Sequence, residues 1–119
     1  DGAEKKEQTI KAVVTFYSLP MRILRGDHAG SEINAACLYY YATDPNDGPT
    51  TLDVIEAGVA YAAKIGFDVM NAVSILHNTK KNLQQARFLA GDGELNWYLY
   101  NWKFKDPPIR GEDIGFVPV

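Results

Sequence analysis

The chain has 119 residues, 46% of them apolar and 12% aromatic, which is enough to build the core of one compact domain. A formal net charge of −3 argues against nucleic-acid binding, because neutralising phosphates requires clustered basic residues, and the only basic runs are Lys5-Lys6 and Lys80-Lys81. No apolar run approaches the roughly 20 residues needed to cross a bilayer, so no transmembrane segment is predicted.

The first half of the chain predicts two strands. Residues 1–8 are charged and polar and are expected to form a flexible loop. Residues 9–17 are rich in β-branched and aromatic residues, which predicts a strand that Pro20 ends. A polar connection containing Gly26 and Gly30 follows, and the apolar residues 35–42 predict a second, largely buried strand.

The clearest helix is predicted from Thr50 or Thr51 to about Ile65. A threonine hydroxyl can cap its first turn, and Asp53 complements the exposed N–H groups there. Gly66 is expected to end the helix in a left-handed conformation. The predicted apolar stripe consists of Leu52, Ile55, Val59, Ala62 and Ala63.

The second half of the chain predicts further short elements. Residues 67–72 favour a strand, and residues 80–88 a helix capped by Asn78 or Thr79. Residues 94–104 predict the longest strand, with large rings on both faces, and residues 114–117 a final extended piece. Together these elements predict an α+β fold in which a mixed sheet is flanked by helices.

Cysteine and histidine usage indicates neither a disulfide nor a metal site. Cys37 is the single cysteine, which is typical of a reducing compartment, and in its apolar run it is expected to be a small buried side chain. His28 and His77 lack the spacing of metal ligands. Common enzyme motifs are also absent, so these residues alone favour only an aromatic-rich α+β protein that binds a peptide or small molecule.

Four sequence motifs allow a more specific prediction. They are FYSLP at residues 16–20, NAA at 34–36, GFDVMNA at 66–72 and GDGELNWYLYNWK at 91–103. The last motif is the most specific, because its aromatic pattern follows a Gly-Asp-Gly turn. In the order and spacing of these motifs, the chain resembles the C-terminal part of the glycylpeptide N-tetradecanoyltransferases (N-myristoyltransferases) over about residues 12–119.

The resemblance implies that residues 1–119 form the C-terminal, peptide-binding half-domain of such an enzyme, with an acetyltransferase-like (GNAT-like) fold. The N-terminal half of the same enzyme would hold myristoyl-CoA, the co-substrate, and polarise its thioester. This segment would bind no cofactor itself and would be inactive alone. Its other partners would be proteins with an N-terminal glycine, and its location cytoplasmic.

The resemblance also implies a catalytic base. Family members use the carboxylate of their own chain terminus to accept the proton of the attacking glycine amine. Residues 114–119 resemble the closing segment of the family, so Val119 is expected to be the native terminus and to supply that carboxylate. Pro118 departs from the aliphatic residue usual there and removes one N–H group.

The resemblance further implies a peptide groove. Asn71 matches an asparagine that contacts the substrate near its N-terminus, and Asp92, Gly93 and Leu95 match the turn that borders the peptide. Two groove positions depart from the family: Met21 stands where a serine is common, and Cys37 where a tyrosine is usual. Both changes remove a hydroxyl group, so we expect an altered peptide preference with unaltered chemistry.

Two other classes of function stay open at the level of sequence. The chain can be an isolated peptide-binding or protein-binding module without catalytic activity, or a structural piece whose exposed sheet edge drives self-association. An upstream acyl-CoA-binding half in the same polypeptide would exclude the first of these.

Overall fold

A computed structural model describes residues 7–105 and 108–119, so that most of the predicted loop at residues 1–8 lies outside the described residues. The chain divides into two compact units, Asp1–Asn71 and Ala72–Val119. The first unit contains strands β1 (Ala12–Ser18), β2 (Met21–Arg22), β3 (Glu32–Ile33), β4 (Ala35–Thr43) and β5 (Val69–Asn71), with helix α1 (Thr51–Lys64). The second contains helix α2 (Lys80–Gln85) and a 3-10 turn (Gly111–Asp113).

The first unit is built on a mixed three-stranded sheet in the order β1-β4-β5. Strand β1 runs antiparallel to β4, and β5 runs parallel to it. Strands β2 and β3 form a separate antiparallel hairpin within what the sequence predicts as a polar connection. The α+β class and the mixed sheet are thus confirmed, and the three predicted strands of this unit lie within three residues of their predicted limits.

Helix α1 begins and ends where the sequence predicts. Thr50 is its N-cap: the Thr50 hydroxyl accepts a hydrogen bond from the Asp53 N–H, and the Asp53 carboxylate accepts one from the Thr50 N–H at 2.9 Å. At the other end Gly66 has a φ of +97°. The Gly66 N–H donates to the Ala63 carbonyl and the Phe67 N–H to the Ala62 carbonyl, which satisfies the last carbonyls of the helix.

The face of α1 that is buried differs in part from the predicted stripe. Ile55 and Ala62 are buried as expected, but Val54 and Gly58 replace Leu52 and Ala63. The helix packs against β1 and β4. A side chain at position 58 would crowd β1, because a Cβ atom there would lie 2.9 Å from a methyl group of Val14.

In the second unit, α2 ends earlier than predicted. Thr79 caps it by accepting from the Asn82 N–H at 3.2 Å, as one of the two predicted candidates. The prediction that it extends to Phe88 is wrong, because Arg87 adopts a left-handed φ of 65°. The Phe88 N–H then bonds to the Leu83 carbonyl, which terminates the helix without a glycine.

The prediction of a strand at residues 94–104 is also wrong. Within the described part of the chain this stretch has no assigned strand, and its side chains are exposed, Tyr98 by 87% and Tyr100 by 92%. A strand needs a hydrogen-bonded neighbour, and alternation of side chains along one segment cannot show whether that neighbour exists. At residues 114–117, where an extended piece is predicted, Ile114 has extended backbone angles and no strand is assigned.

Candidate functional site

Three of the predicted groove residues meet on the sheet of the first unit. Strand pairing places Tyr17 of β1 opposite Cys37 of β4, and Cys37 opposite Asn71 of β5, so one row of residues crosses all three strands. The Asn71 side-chain amide also lies 4.0 Å from the sulfur atom of Met21 on β2. Met21, Cys37 and Asn71 are therefore neighbours, although 50 residues separate the first from the last.

The alternation of side chains along each strand assigns this row to one face of the sheet. Val14 and Phe16 of β1 point towards α1, where Phe16 packs against Tyr61 with ring centroids 6.3 Å apart. Tyr17 and Cys37 follow residues of that face and so point the other way. We call the opposite side, which carries Tyr17, Cys37 and Asn71, the open face. Cys37 is only half-buried, so the expectation of a buried cysteine is wrong.

Hydrogen bonds between two of the sequence motifs hold Asn71 in position. The Asp68 carboxylate accepts from the Asn34 N–H at 2.8 Å, and the Asp68 N–H donates to the Asn34 carbonyl at 2.9 Å. The Asn34 side chain donates to the Gly66 carbonyl at 3.1 Å. These bonds fix the start of β5 beside the start of β4, which sets the register that brings Asn71 opposite Cys37.

The surroundings of Tyr17 on the open face disfavour its ionised form. The pKa of Tyr17 is raised above its ordinary value of 10.0, chiefly by partial burial of the phenol and then by the neighbouring Cys37, to which it is hydrogen-bonded, and Tyr39. A phenol of pKa 10.0 is already protonated at neutral pH, and the raised pKa moves its ionisation further from neutrality. The row thus carries three hydrogen-bonding side chains, namely a phenol, a thiol and an amide.

The remaining predicted residues belong to the second unit. Asp92, Gly93 and Leu95 are all exposed, Leu95 by 61%, so Leu95 is not a core residue. Val119 is 88% exposed. The segment that follows the Gly-Asp-Gly turn does reach the end of the chain, because Trp97 packs edge-on against Phe116 with ring centroids 5.8 Å apart.

Sequence reasoning missed Tyr17, Tyr39 and Tyr40 as members of the open face. The rings of Tyr17 and Tyr39 are 5.9 Å apart, and those of Tyr39 and Tyr40 are 4.3 Å apart. The spacing of two residues between Cys37 and Tyr39 is a signal that places Tyr39 beside the predicted groove residue. No comparable signal exists for Tyr40, which reaches this face only through an irregularity of β4.

Two further properties concern the whole described chain. Across residues 7–105 and 108–119, no group of three or more His, Cys, Asp and Glu side chains is placed to hold a metal ion. No helix in the same ranges has the length and apolar character required to cross a bilayer.

Comparison with known proteins identifies the family. Residues 3–116 match the family model described as "Myristoyl-CoA:protein N-myristoyltransferase, C-terminal domain". A probable glycylpeptide N-tetradecanoyltransferase of Caenorhabditis elegans is 37% identical over 115 residues, which is 97% of this chain and 24% of that protein. The enzyme of Plasmodium falciparum (isolate 3D7) is 37% identical over 94 residues, 79% of this chain and 22% of its own length.

A third relative, glycylpeptide N-tetradecanoyltransferase 2 of Danio rerio, is 33% identical over 104 residues, 87% of this chain and 20% of that protein. The chain thus spans between a fifth and a quarter of the length of these relatives. A search of solved structures found no match. The family match covers nearly the whole sequence, and the chain belongs to the N-myristoyltransferase family, in which it corresponds to the C-terminal domain.

Proposed function

We propose that this chain is the peptide-binding part of an enzyme that transfers myristate from myristoyl-CoA to the N-terminal glycine of proteins. The observation that carries the proposal is the convergence of Met21, Cys37 and Asn71 beside the open face of the sheet. Met21 and Cys37 directly follow two of the sequence motifs, and Asn71 lies within a third. The relatives are glycylpeptide N-tetradecanoyltransferases, and this activity supplies the proposed reaction. The acyl-CoA would be bound by the rest of the polypeptide, and the acetyltransferase-like fold of this half is part of the same proposal.

The proposed reaction is the attack of an amine on a thioester. The glycine nitrogen forms a bond to the myristoyl carbonyl carbon, the carbon–sulfur bond breaks, and coenzyme A leaves as the thiolate or thiol. The amine is protonated at neutral pH and must lose a proton before it can attack. We assign that proton to the carboxylate of the chain terminus at Val119.

The energetics of this base require a special environment. An α-carboxyl group titrates near 3.5 and an α-amine near 8, so the transfer costs about 6 kcal/mol in water. When substrate binding encloses both groups, the difference between their pKa values becomes smaller, because burial disfavours the charged form of each. The end of the chain is held just before Val119: Val117 is 97% buried, since only 3% of it is exposed, and Phe116 contacts Trp97. The carboxylate would thus follow residues that are held by packing, which favours a defined position for it relative to the attacking amine.

The roles proposed for the other residues follow from their chemistry. The Asn71 amide oxygen is an acceptor for the ammonium group or the first N–H groups of the peptide. Asp92, Gly93 and Leu95 would border the peptide from an open turn, since nothing lies within 4 Å of a Cβ atom built at Gly91 or Gly93. Met21 and Cys37 would adjust the preference for the residues after glycine.

The terminus can be tested in the complete polypeptide that contains this chain. We expect that adding a residue after Val119, or amidating it, abolishes single-turnover acylation of a glycine-initiated peptide, because the carboxylate is moved or neutralised. Binding of the peptide should persist, which separates loss of the base from loss of the groove. Unchanged single-turnover acylation in the extended protein would contradict the assignment of the base.

A further inference from the structure

The open face carries a pair of tyrosines that an irregularity in the sheet creates. Val14 pairs with Tyr41 and Phe16 pairs with Leu38, so one residue of β1, Thr15, stands opposite two residues of β4. Strand β4 therefore bulges at Tyr39 and Tyr40. Leu38 and Tyr41, which flank the pair, both lie on the face towards α1 because their partners on β1 do. Tyr39 and Tyr40 are thereby both directed to the open face.

The side chain of Thr15 holds this bulge. Its hydroxyl donates to the Tyr40 carbonyl at 2.6 Å and accepts from the Tyr40 N–H at 3.0 Å, and so satisfies backbone groups that the bulge takes out of the ladder. The rings of Tyr39 and Tyr40 meet at an angle of 58° with centroids 4.3 Å apart. Tyr40 keeps 36% of its surface exposed. The hydrogen bonds of Thr15 to the Tyr40 backbone thus hold the segment that carries the two adjacent phenol rings.

We propose that Tyr39 and Tyr40 form a subsite for a lysine or arginine side chain of the peptide substrate, and that Thr15 positions this subsite. The inference rests on the proposed function, because it takes the substrate to be a peptide whose first residue lies at Asn71. Tyr39 and Tyr40 follow Cys37, which pairs with Asn71, by two and three residues along β4. At about 3.3 Å per residue, an extended peptide that follows β4 brings its third to fifth residues to the pair.

The chemistry of the pair favours a cation over other side chains. The face of an aromatic ring attracts an ammonium or guanidinium group, and here two such rings are adjacent. The negative face of an aromatic ring repels a carboxylate, so an acidic side chain is a poor occupant. An uncharged aliphatic side chain would gain the apolar contact alone. Charge is therefore the property that distinguishes this subsite from an ordinary apolar contact.

The test measures kcat/KM for acylation by the complete polypeptide that contains this chain. The substrates are glycine-initiated peptides that carry lysine or the uncharged, similarly shaped norleucine at position 3, 4 or 5. We expect lysine to be favoured about two- to fivefold at one of these positions. Tyr40→Leu and Tyr39→Leu should bring the lysine-to-norleucine ratio close to one, whereas Tyr40→Phe, which keeps the ring, should preserve it.

Thr15 and a matched control complete the design. Thr15→Val removes both hydrogen bonds at nearly constant shape and should lower the lysine-to-norleucine ratio of kcat/KM. Thr15→Ser keeps the hydroxyl and should keep the ratio of the unmodified protein. Tyr61→Leu, a change of the same kind on α1, should leave the ratio unchanged. A ratio of one in the unmodified protein, or a ratio kept by Tyr39→Leu and Tyr40→Leu, would overturn the subsite. Acylation of no peptide at all would overturn the proposed function as well, which distinguishes the two failures.

Discussion

At the residue scale, the reciprocal cap at Thr50 shows how a short motif fixes the start of α1. The Thr50 and Asp53 side chains each bond the backbone N–H of the other, and the two oxygens lie 2.5 Å apart. These hydrogen bonds lower the pKa of Asp53 below its ordinary value of 3.8, those from the Thr50 side chain most. Helix α1 covers one face of the sheet, so its starting point also fixes which residues contact β1 and β4.

We expect Thr50→Ala to lower the free energy of unfolding by about 1 kcal/mol at pH 6, measured by urea denaturation. A carboxyl group whose pKa is lower in the folded than in the unfolded state stabilises the folded protein at pH values above the unfolded pKa. This stabilisation is lost as the pH falls through the folded pKa. The difference between the two proteins should therefore narrow as pH falls below 3.8. A difference that stays constant down to pH 2 would show that the carboxylate is not part of the cap.

At the element scale, the sequence predicts what is decided locally. Caps, a terminating glycine and β-branched runs lie within a few residues of the elements they define, and α1, β1, β4 and β5 were predicted from them. The strand expected at residues 94–104 failed because strand formation depends on a neighbour that periodicity does not reveal. The bulge at Tyr39 and Tyr40 was missed for a similar reason, since its cause is Thr15 on another strand.

The packing of α1 on β1 gives a prediction at this scale. Gly58→Val introduces a branched side chain where even a Cβ atom would lie 2.9 Å from Val14, and we expect a loss of about 1 to 3 kcal/mol in the free energy of unfolding. Ala57→Val is the matched control, because it adds a branched residue to an exposed position of the same helix. Helix propensity alone favours Gly58→Val and disfavours Ala57→Val. A Gly58→Val protein at least as stable as the Ala57→Val protein would therefore contradict the role of packing at this position.

At the scale of the whole molecule, resemblance to the family identifies the residues of the candidate site, and the fold shows which of them are neighbours. Nothing in the spacing of Met21, Cys37 and Asn71 along the chain shows that they are neighbours, because the parallel pairing of β4 with β5 depends on the Asn34–Asp68 contacts. Tyr17 enters the same row through the antiparallel pairing of β1 with β4. The motifs that mark the family thus include residues that build the sheet as well as residues on its open face.

The central claim is that the open face binds glycine-initiated peptides for myristoyl transfer, and the most direct test is the effect of Asn71→Leu on that transfer. In the complete polypeptide with myristoyl-CoA, we expect the unmodified protein to acylate a glycine-initiated peptide. Asn71→Leu should reduce kcat/KM about tenfold or more at an unchanged melting temperature, because a hydrogen bond to a charged amine is lost. Absence of acylation by the unmodified protein, or an equal kcat/KM in the variant, would contradict the account.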